Sequence, residues 1–349
     1  MTGVIDSRFT LFGYWAMGYD GPHGTNRKEV HMKTGRLLLA LIALAVAMPA
    51  AGAYPEKNIQ YIIPFVPGGE SDVMARWQQT IFRTKYKHEM VVVNKPGAGG
   101  GLAWSMLNGL SADGYTIMGC NLPHIVLQPL EGQVQYKTAD ITPVYWFHYT
   151  ADAILVAADS PYKTFGDLVK AGKAKPGTLT FGGSATFSAN HLAHEKFNLY
   201  TGVKSTYVPF KGTGELVTAV LGKHVTGGMS YVPLALQQKT RIRMLAVALD
   251  KRHPAFPDVP TFRELGYKWV DGAYRGVAMP KSSPLEARKR ASDLMAGLNK
   301  DPQILKWMAD GGFEVVDIPY DKNEAFMKAR GKEYMEIAKL MGLLKESAK

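Results

Sequence analysis

The chemistry of this chain concentrates in Pro64-Phe65-Val66-Pro67-Gly68-Gly69-Glu70-Ser71-Asp72. An apolar strand, Ile59 to Phe65, runs into a Pro-Gly-Gly turn, and a helical pattern starts at Val73 behind two good N-cap residues, Ser71 and Asp72. Two glycines let the backbone come close to a ligand, and the first N–H groups of the helix point into the same space. Unpaired donors with a partial positive charge suit an anion, a carboxylate or a phosphate. A plain strand-to-helix turn satisfies the same pattern. The grammar recurs, however, at Met90 to Gly101, with Lys95-Pro96-Gly97-Ala98-Gly99-Gly100-Gly101, and again at Thr178 to Ser188, with Gly182-Gly183-Ser184-Ala185-Thr186-Phe187-Ser188. Three such turns predict an open α/β sheet whose loops gather at the carboxyl ends of its strands, where such sheets bind ligands.

Catalytic motifs are near misses. Gly182-Gly183-Ser184-Ala185-Thr186 departs from the G-x-S-x-G nucleophile elbow at Thr186, and His191 and His194 lie on the following helix. His191-Leu192-Ala193-His194-Glu195 matches neither H-E-x-x-H nor H-x-x-E-H, so no metal site is expected; a histidine bonded to a neighbouring loop is. Leu102 stands where G-x-G-x-x-G needs its third glycine, and no P-loop is present. The reading is therefore no enzyme, no catalytic residues and no cofactor. A secreted α/β hydrolase is the alternative, and turnover lost on changing Ser184 would reveal it. Cys120 is the single cysteine, which excludes an internal disulfide and reads as a small buried hydrophobe.

Strand and helix alternate along the elements that must carry these loops. Strands are predicted near 59–65, 90–94, 115–120, 143–148, 153–158, 178–182, 205–208, 225–229, 242–248, 274–279 and 313–317. Helices are predicted near 72–86, 101–110, 164–174, 187–200, 212–222, 232–238, 284–300, 302–310 and 321–343. No solenoid repeat appears.

Met32-Lys33-Thr34-Gly35-Arg36, the apolar run Leu37 to Met48 and the A-x-A site Ala51-Gly52-Ala53 together read as a secretory signal peptide over 32–53. Cleavage would leave Tyr54 as the first mature residue. Residues 1–31 then read as a misannotated or disordered extension. The net charge of +11 is spread without a Lys/Arg run or an aromatic platform, which, with export, excludes nucleic acid and leaves anionic small molecules.

An ordered set of short segments carries a resemblance: the opening turn, Asn94 to Gly100, Ala112-Asp113-Gly114-Tyr115-Thr116, Lys173 to Gly177, Tyr207 to Gly212, Lys251-Arg252 and Pro257-Asp258-Val259-Pro260-Thr261. From about Tyr54 onward the chain resembles the Bug (TctC-type) family, the periplasmic solute receptors of tripartite tricarboxylate transporters. The resemblance implies the two-lobed type II periplasmic binding protein fold, each lobe a mostly parallel sheet flanked by helices, joined by two crossover strands near Ala153 to Ala158 and Leu245 to Leu249. The boundaries expected are 54–154 and 248–349 for lobe one and 155–247 for lobe two. It implies a periplasmic monomer that takes a small carboxylate and delivers it to membrane transporter subunits, with a ligand sensor for a two-component system as the other use of the same fold.

The resemblance also implies a site between two loops, with Phe65, Gly68, Gly69 and Ser71 on one lobe and Ser184, Thr186 and Ser188 on the other. No arginine clamp is apparent in these loops. Three residues depart from the family pattern. Glu70 replaces a small residue, so that it either faces solvent or selects a ligand with a hydroxyl or ammonium. Thr186-Phe187 replaces a common Asn-Gly, and Phe187, with Trp146 and Tyr149, either favours an aromatic or long aliphatic acid or is packing. Thr226 replaces an Asp, which weakens the case for an ammonium.

Overall fold

The computed structural model describes residues 54–340, 342 and 344; the expected leader and the extension before it lie outside these residues. In chain order come β1 (Ile59–Ile63), α1 (Glu70–Tyr86), β2 (Met90–Asn94), α2 (Gly101–Met106), β3 (Thr116–Leu122), α3 (His124–Glu131) and β4 (Thr142–Ala157). Then follow α4 (Phe165–Ala174), β5 (Thr180–Ser184), α5 (Ala189–Thr201), β6 (Thr206–Phe210), α6 (Thr213–Leu221), β7 (Gly227–Tyr231), α7 (Val232–Gln237) and β8 (Ile242–Val247). The chain closes with β9 (Gly272–Met279), α8 (Leu285–Asn299), α9 (Pro302–Gly311), β10 (Glu314–Ile318) and α10 (Tyr320–Leu340). Among the described residues no helix is long and apolar enough to cross a membrane.

These strands make two sheets, one in each lobe. In the first, β2, β1 and β3 run parallel, and β9, antiparallel to β3, joins them to the first half of β4 and then β10. In the second, β6, β5 and β7 run parallel, and the second half of β4 lies antiparallel between β7 and β8. The loops at the carboxyl ends of β1, β3, β5 and β7 therefore face one another across the boundary between the sheets.

Strand β4 differs from expectation. It is one strand of 16 residues, where the sequence suggested two short ones separated by Tyr149 to Asp152. The polar Thr150 and Asp152 resemble a break, yet the ladder with β9 continues through Ala151 and the ladder with β7 starts at Asp152. The second half obeys strand alternation. Ile154 and Val156 enter a core with Phe165, Phe181 and Phe197, while Ala153, Leu155 and Ala157 enter another with Leu216 and Val220 on the opposite face.

The return crossing also falls later than the 245–249 expected. Strand β8 pairs within the second sheet, and Phe262 stacks on Trp269 at 4.0 Å inside the second core. The chain re-enters the first sheet at Gly272, opposite Ala151. A Cβ at Gly272 would collide with the Thr150 carbonyl oxygen, so only glycine lets the two crossing strands approach. Buried at this crossing are Asp152, Asp271 and Lys196, the last two ion-paired.

Helix α3 has no counterpart in the sequence reading; it carries Pro129 near its end, a residue that disfavours a helix interior. Helix α1 follows expectation better: Met74, Ala75, Gln78 and Phe82 form its buried stripe, and Arg83 and Lys85 close its last turn.

Candidate functional site

Helix α1 starts one residue after Gly69, its N-cap, so Ser71 and Asp72 lie inside the first turn rather than capping it. The first intrahelical bond is Val73 N–H to the Gly69 carbonyl, and the N–H groups of Glu70, Ser71 and Asp72 precede it. Asp72 braces the turn instead: one carboxylate oxygen accepts the Gly68 N–H at 3.1 Å, and the other accepts the Asn94 amide at 2.9 Å. That amide also donates to the Phe65 carbonyl at 3.0 Å. Gly68 takes φ +85, which its missing Cβ permits. The effect is a fixed helix mouth facing the second lobe.

Around this mouth lies a cleft lined by Phe65, Val66, Gly69, Glu70, Ser71, Asn121 and His124 from the first lobe. Ser184, Gly212, Thr213 and Tyr231 face them from the second, and Arg275 comes from β9. The Ser71 hydroxyl accepts from Asn121 Nδ2 at 3.2 Å. Ser184 donates to Asn190 Oδ1 at 2.6 Å, and its N–H goes to the same oxygen. Its proton thus rests on an amide oxygen with no base beside it, unlike a hydrolase nucleophile.

Arg275 is one of the polar cleft residues that sequence reasoning missed, with Asn121, His124, Thr213 and Tyr231. It is buried at 3 % exposure, donates to the Thr150 hydroxyl and lies 4.7 Å from the Tyr231 ring centroid as a cation–π partner. Its Nη2 sits 3.6 Å from Glu70 Oε2. Glu70 therefore does not face solvent. It is 6 % exposed, and the same oxygen accepts the Thr213 hydroxyl of the opposite lobe at 3.1 Å. Arg275 stands on a strand with no glycine turn, so no local signal marked it. Its charge inside an otherwise apolar strand, Gly272 to Met279, was the one available cue.

His124 opens α3 with its ring edge-on to Phe65 at 5.8 Å. Burial, and then the Arg275 charge, push its pKa down to about 3, so the ring is neutral at physiological pH. Burial pushes the Tyr231 hydroxyl well above its usual range, and it stays protonated. Several buried polar atoms of the cleft find no partner among the described residues: Asn121 Oδ1, His124 Nδ1, Tyr231 Oη and Arg275 Nε. Buried polar atoms are ordinarily paired, so a set of orphans converging on one cleft points to a polar ligand or ordered water there. In this closed arrangement the free volume is about 20 Å³.

Of the residues expected in the site, Phe65, Gly69, Glu70, Ser71 and Ser184 meet at the cleft. The other four do not line it. Gly68 shapes the turn behind it. Thr186 reaches across to Glu131 of the first lobe at 2.7 Å, at the rim. Phe187 donates its N–H to His191 Nδ1, the loop-bonded histidine expected from the sequence. Ser188 is fully buried as the N-cap of α5, accepting the His191 N–H at 3.1 Å.

Trp146 packs on Phe326 and Tyr149 on Tyr274, so both are packing residues. Thr226 bonds Thr180 at the far ends of β5 and β7, and its departure says nothing about an ammonium in the cleft. No cluster of metal-ligating side chains occurs among the described residues.

The chain is similar to known proteins over most of its length. The model of a family described as tripartite tricarboxylate transporter family receptor matches residues 74–343. Protein BugT of Bordetella pertussis is 33% identical over 261 residues, covering 70% of this chain and 79% of that protein. Among solved structures, periplasmic binding protein BugD superposes with a TM-score of 0.78 at 26% identity, covering 84% of this chain and 100% of BugD. Rpa4515 of R. palustris, solved with adipate, gives 0.77 at 25% identity, covering 83% and 98% of the two chains. These likenesses carry the two-lobed periplasmic binding protein architecture onto the two sheets described above.

Proposed function

Because the chain belongs to the tripartite tricarboxylate transporter receptor family, we propose that it is a periplasmic monomer that closes two lobes around one small carboxylate and hands it to the membrane subunits of such a transporter. One observation carries this reading. The open N–H groups of α1, the buried guanidinium of Arg275 and the hydroxyl of Tyr231 converge on one interlobe cleft. Such a cleft suits an anion held by helix N–H groups, a guanidinium N–H and a hydroxyl, and it lacks an activated nucleophile. The relative solved with adipate supports a carboxylate as ligand class. Phe65, Gly69, Glu70, Ser71 and Ser184 then line the site together with Asn121, His124, Thr213, Tyr231 and Arg275.

Lobe one is taken as 54–151 with 272–344, and lobe two as 152–271, following the sheets each segment joins. Ligand contacts to both lobes favour the closed member of an open–closed equilibrium. Export follows from the Met32 to Ala53 pattern. Intact mass of the periplasmic protein should place its first residue at Tyr54, and a mature chain retaining Leu37 to Met48 would contradict export by cleavage.

Titration calorimetry with carboxylates of three to six carbons tests the reading. Binding of at least one is expected, weakened in Ser71→Ala by about 1.5–3 kcal/mol, the scale of a hydrogen bond to a charged group. Failure of every carboxylate to bind would overturn it.

A further inference from the structure

The unpaired atoms of the cleft are of three kinds: donors, acceptors and His124 Nδ1, which takes either role by tautomer. Arg275 Nε can only donate, and the Tyr231 hydroxyl is free to donate. Asn121 Oδ1 can only accept. Glu70 adds a second acceptor, because the hydrogen bond from Thr213 falls on Oε2 and Oε1 accepts no hydrogen bond among the described residues. A dicarboxylate brings acceptors only. It would satisfy the donors and leave Asn121 Oδ1 and Glu70 Oε1 facing more negative oxygen, an arrangement that costs more as water is excluded.

The charge balance points the same way. Glu70 and Arg275 are both buried and cancel each other, and His124 is neutral, so the cleft offers a second carboxylate no free cation. The first carboxylate still finds the α1 N–H groups, Arg275 Nε and Tyr231 Oη.

We infer that the ligand of this cleft is a monocarboxylate carrying a hydroxyl or ammonium donor, and that Glu70, with Asn121 beside it, accepts from that donor. The inference rests on the receptor reading above and narrows its ligand class. Glu70 acts here as a specificity-determining residue: it withholds Arg275 from a second carboxylate and presents Oε1 to a donor. Its bond to Thr213 spans the lobes, so the closed arrangement holds the Glu70 carboxylate in the cleft.

The test is a matched titration by calorimetry of the wild-type protein and of Glu70→Gln, at three to six carbons. Each set contains a plain monocarboxylate, its hydroxy and amino derivatives and the dicarboxylate. Propionate, lactate, alanine and malonate form the first set. In the wild type, a hydroxy or amino acid should bind at least tenfold more tightly than the plain acid and the dicarboxylate of its set. The two derivatives identify which donor is used. In Glu70→Gln that ratio should fall to threefold or less, and the dicarboxylate should gain affinity.

A dicarboxylate or plain acid that equals the donor-bearing acids in the wild type would overturn the inference. So would a ratio that survives in Glu70→Gln, with thermal unfolding confirming a folded variant. Those outcomes leave the receptor reading standing, whereas binding of none of the acids would remove both.

Discussion

Arg275 reaches the cleft from a strand that also pairs with β3 and β4, so its charge is held by the sheet rather than by a loop. This explains why the site was only half legible in the sequence. Residues delivered by a glycine turn, such as Gly69 and Ser71, announce themselves by local pattern. Those delivered by a ladder, such as Asn121 at the end of β3, Tyr231 at the end of β7 and Arg275 in β9, have no such signature. Their meeting depends on register, which one strand alone does not encode.

The same guanidinium leaves a mark on acid stability through His124. In the unfolded chain this ring titrates near its ordinary value of about 6.5, whereas burial and Arg275 hold it down to about 3 in the folded protein. Between those limits the unfolded chain binds a proton that the native state refuses, so stability is full above the upper limit and declines as pH falls toward the lower. His148 and His191 act in the same direction, also through burial. His124→Gln should therefore show a shallower loss of Tm between pH 7 and pH 4 than wild type. An unchanged slope would mean that the fold does not lower the His124 pKa.

At the scale of elements, the two loops after β1 and β5 are built by opposite means. The first is pinned by side chains, with Asp72 and Asn94 bracing a Gly-Gly turn. The second stores strain: Ala185 takes φ +52 and Phe187 φ +49, left-handed conformations that cost an L-residue of order 1–2 kcal/mol each. The glycine common in the family at position 187 would adopt this backbone freely, and the Phe here is held in it by the contact to His191. The Ser188 cap anchors the loop's far end, where its hydroxyl also donates to the Ala185 carbonyl at 3.0 Å. Ser188→Ala should cost about 0.5–2 kcal/mol of stability by denaturant unfolding. It should move ligand affinity much less than Ser71→Ala, because no ligand contact is removed. A larger effect on affinity than on stability would place Ser188 in the site after all.

The molecule as a whole stands closed by its own polar contacts. Glu131 to Thr186 at the rim and Glu70 to Thr213 within the cleft both join the lobes. The rim bond lies outside the ligand-lining residues, so removing it acts on the equilibrium alone. Glu131→Ala should enlarge the radius of gyration of the ligand-free protein in solution scattering and weaken ligand binding several-fold, while the ligand-saturated radius stays that of wild type. If the ligand-free radius did not change, the rim bond would have no part in closure.

The two crossings at β4 and β9 also bear on how the chain finds its fold. Residues 152–271 of the second sheet are continuous in sequence, so that lobe can assemble from neighbours. The first sheet cannot. Its centre is the pairing of β3 with β9, Met118 with Ala278 and Cys120 with Gly276, and that register closes only after the whole intervening lobe has been threaded through. The closure entropy of so long an excursion delays the pairing, which makes the inserted lobe the earlier folding unit and the outer lobe the later one. The ligand cleft, which needs both, is the last part of the molecule to exist. A chain still lacking β9 would hold Ser184 and Tyr231 in place but would have no Arg275, and so would lack the buried guanidinium of the cleft.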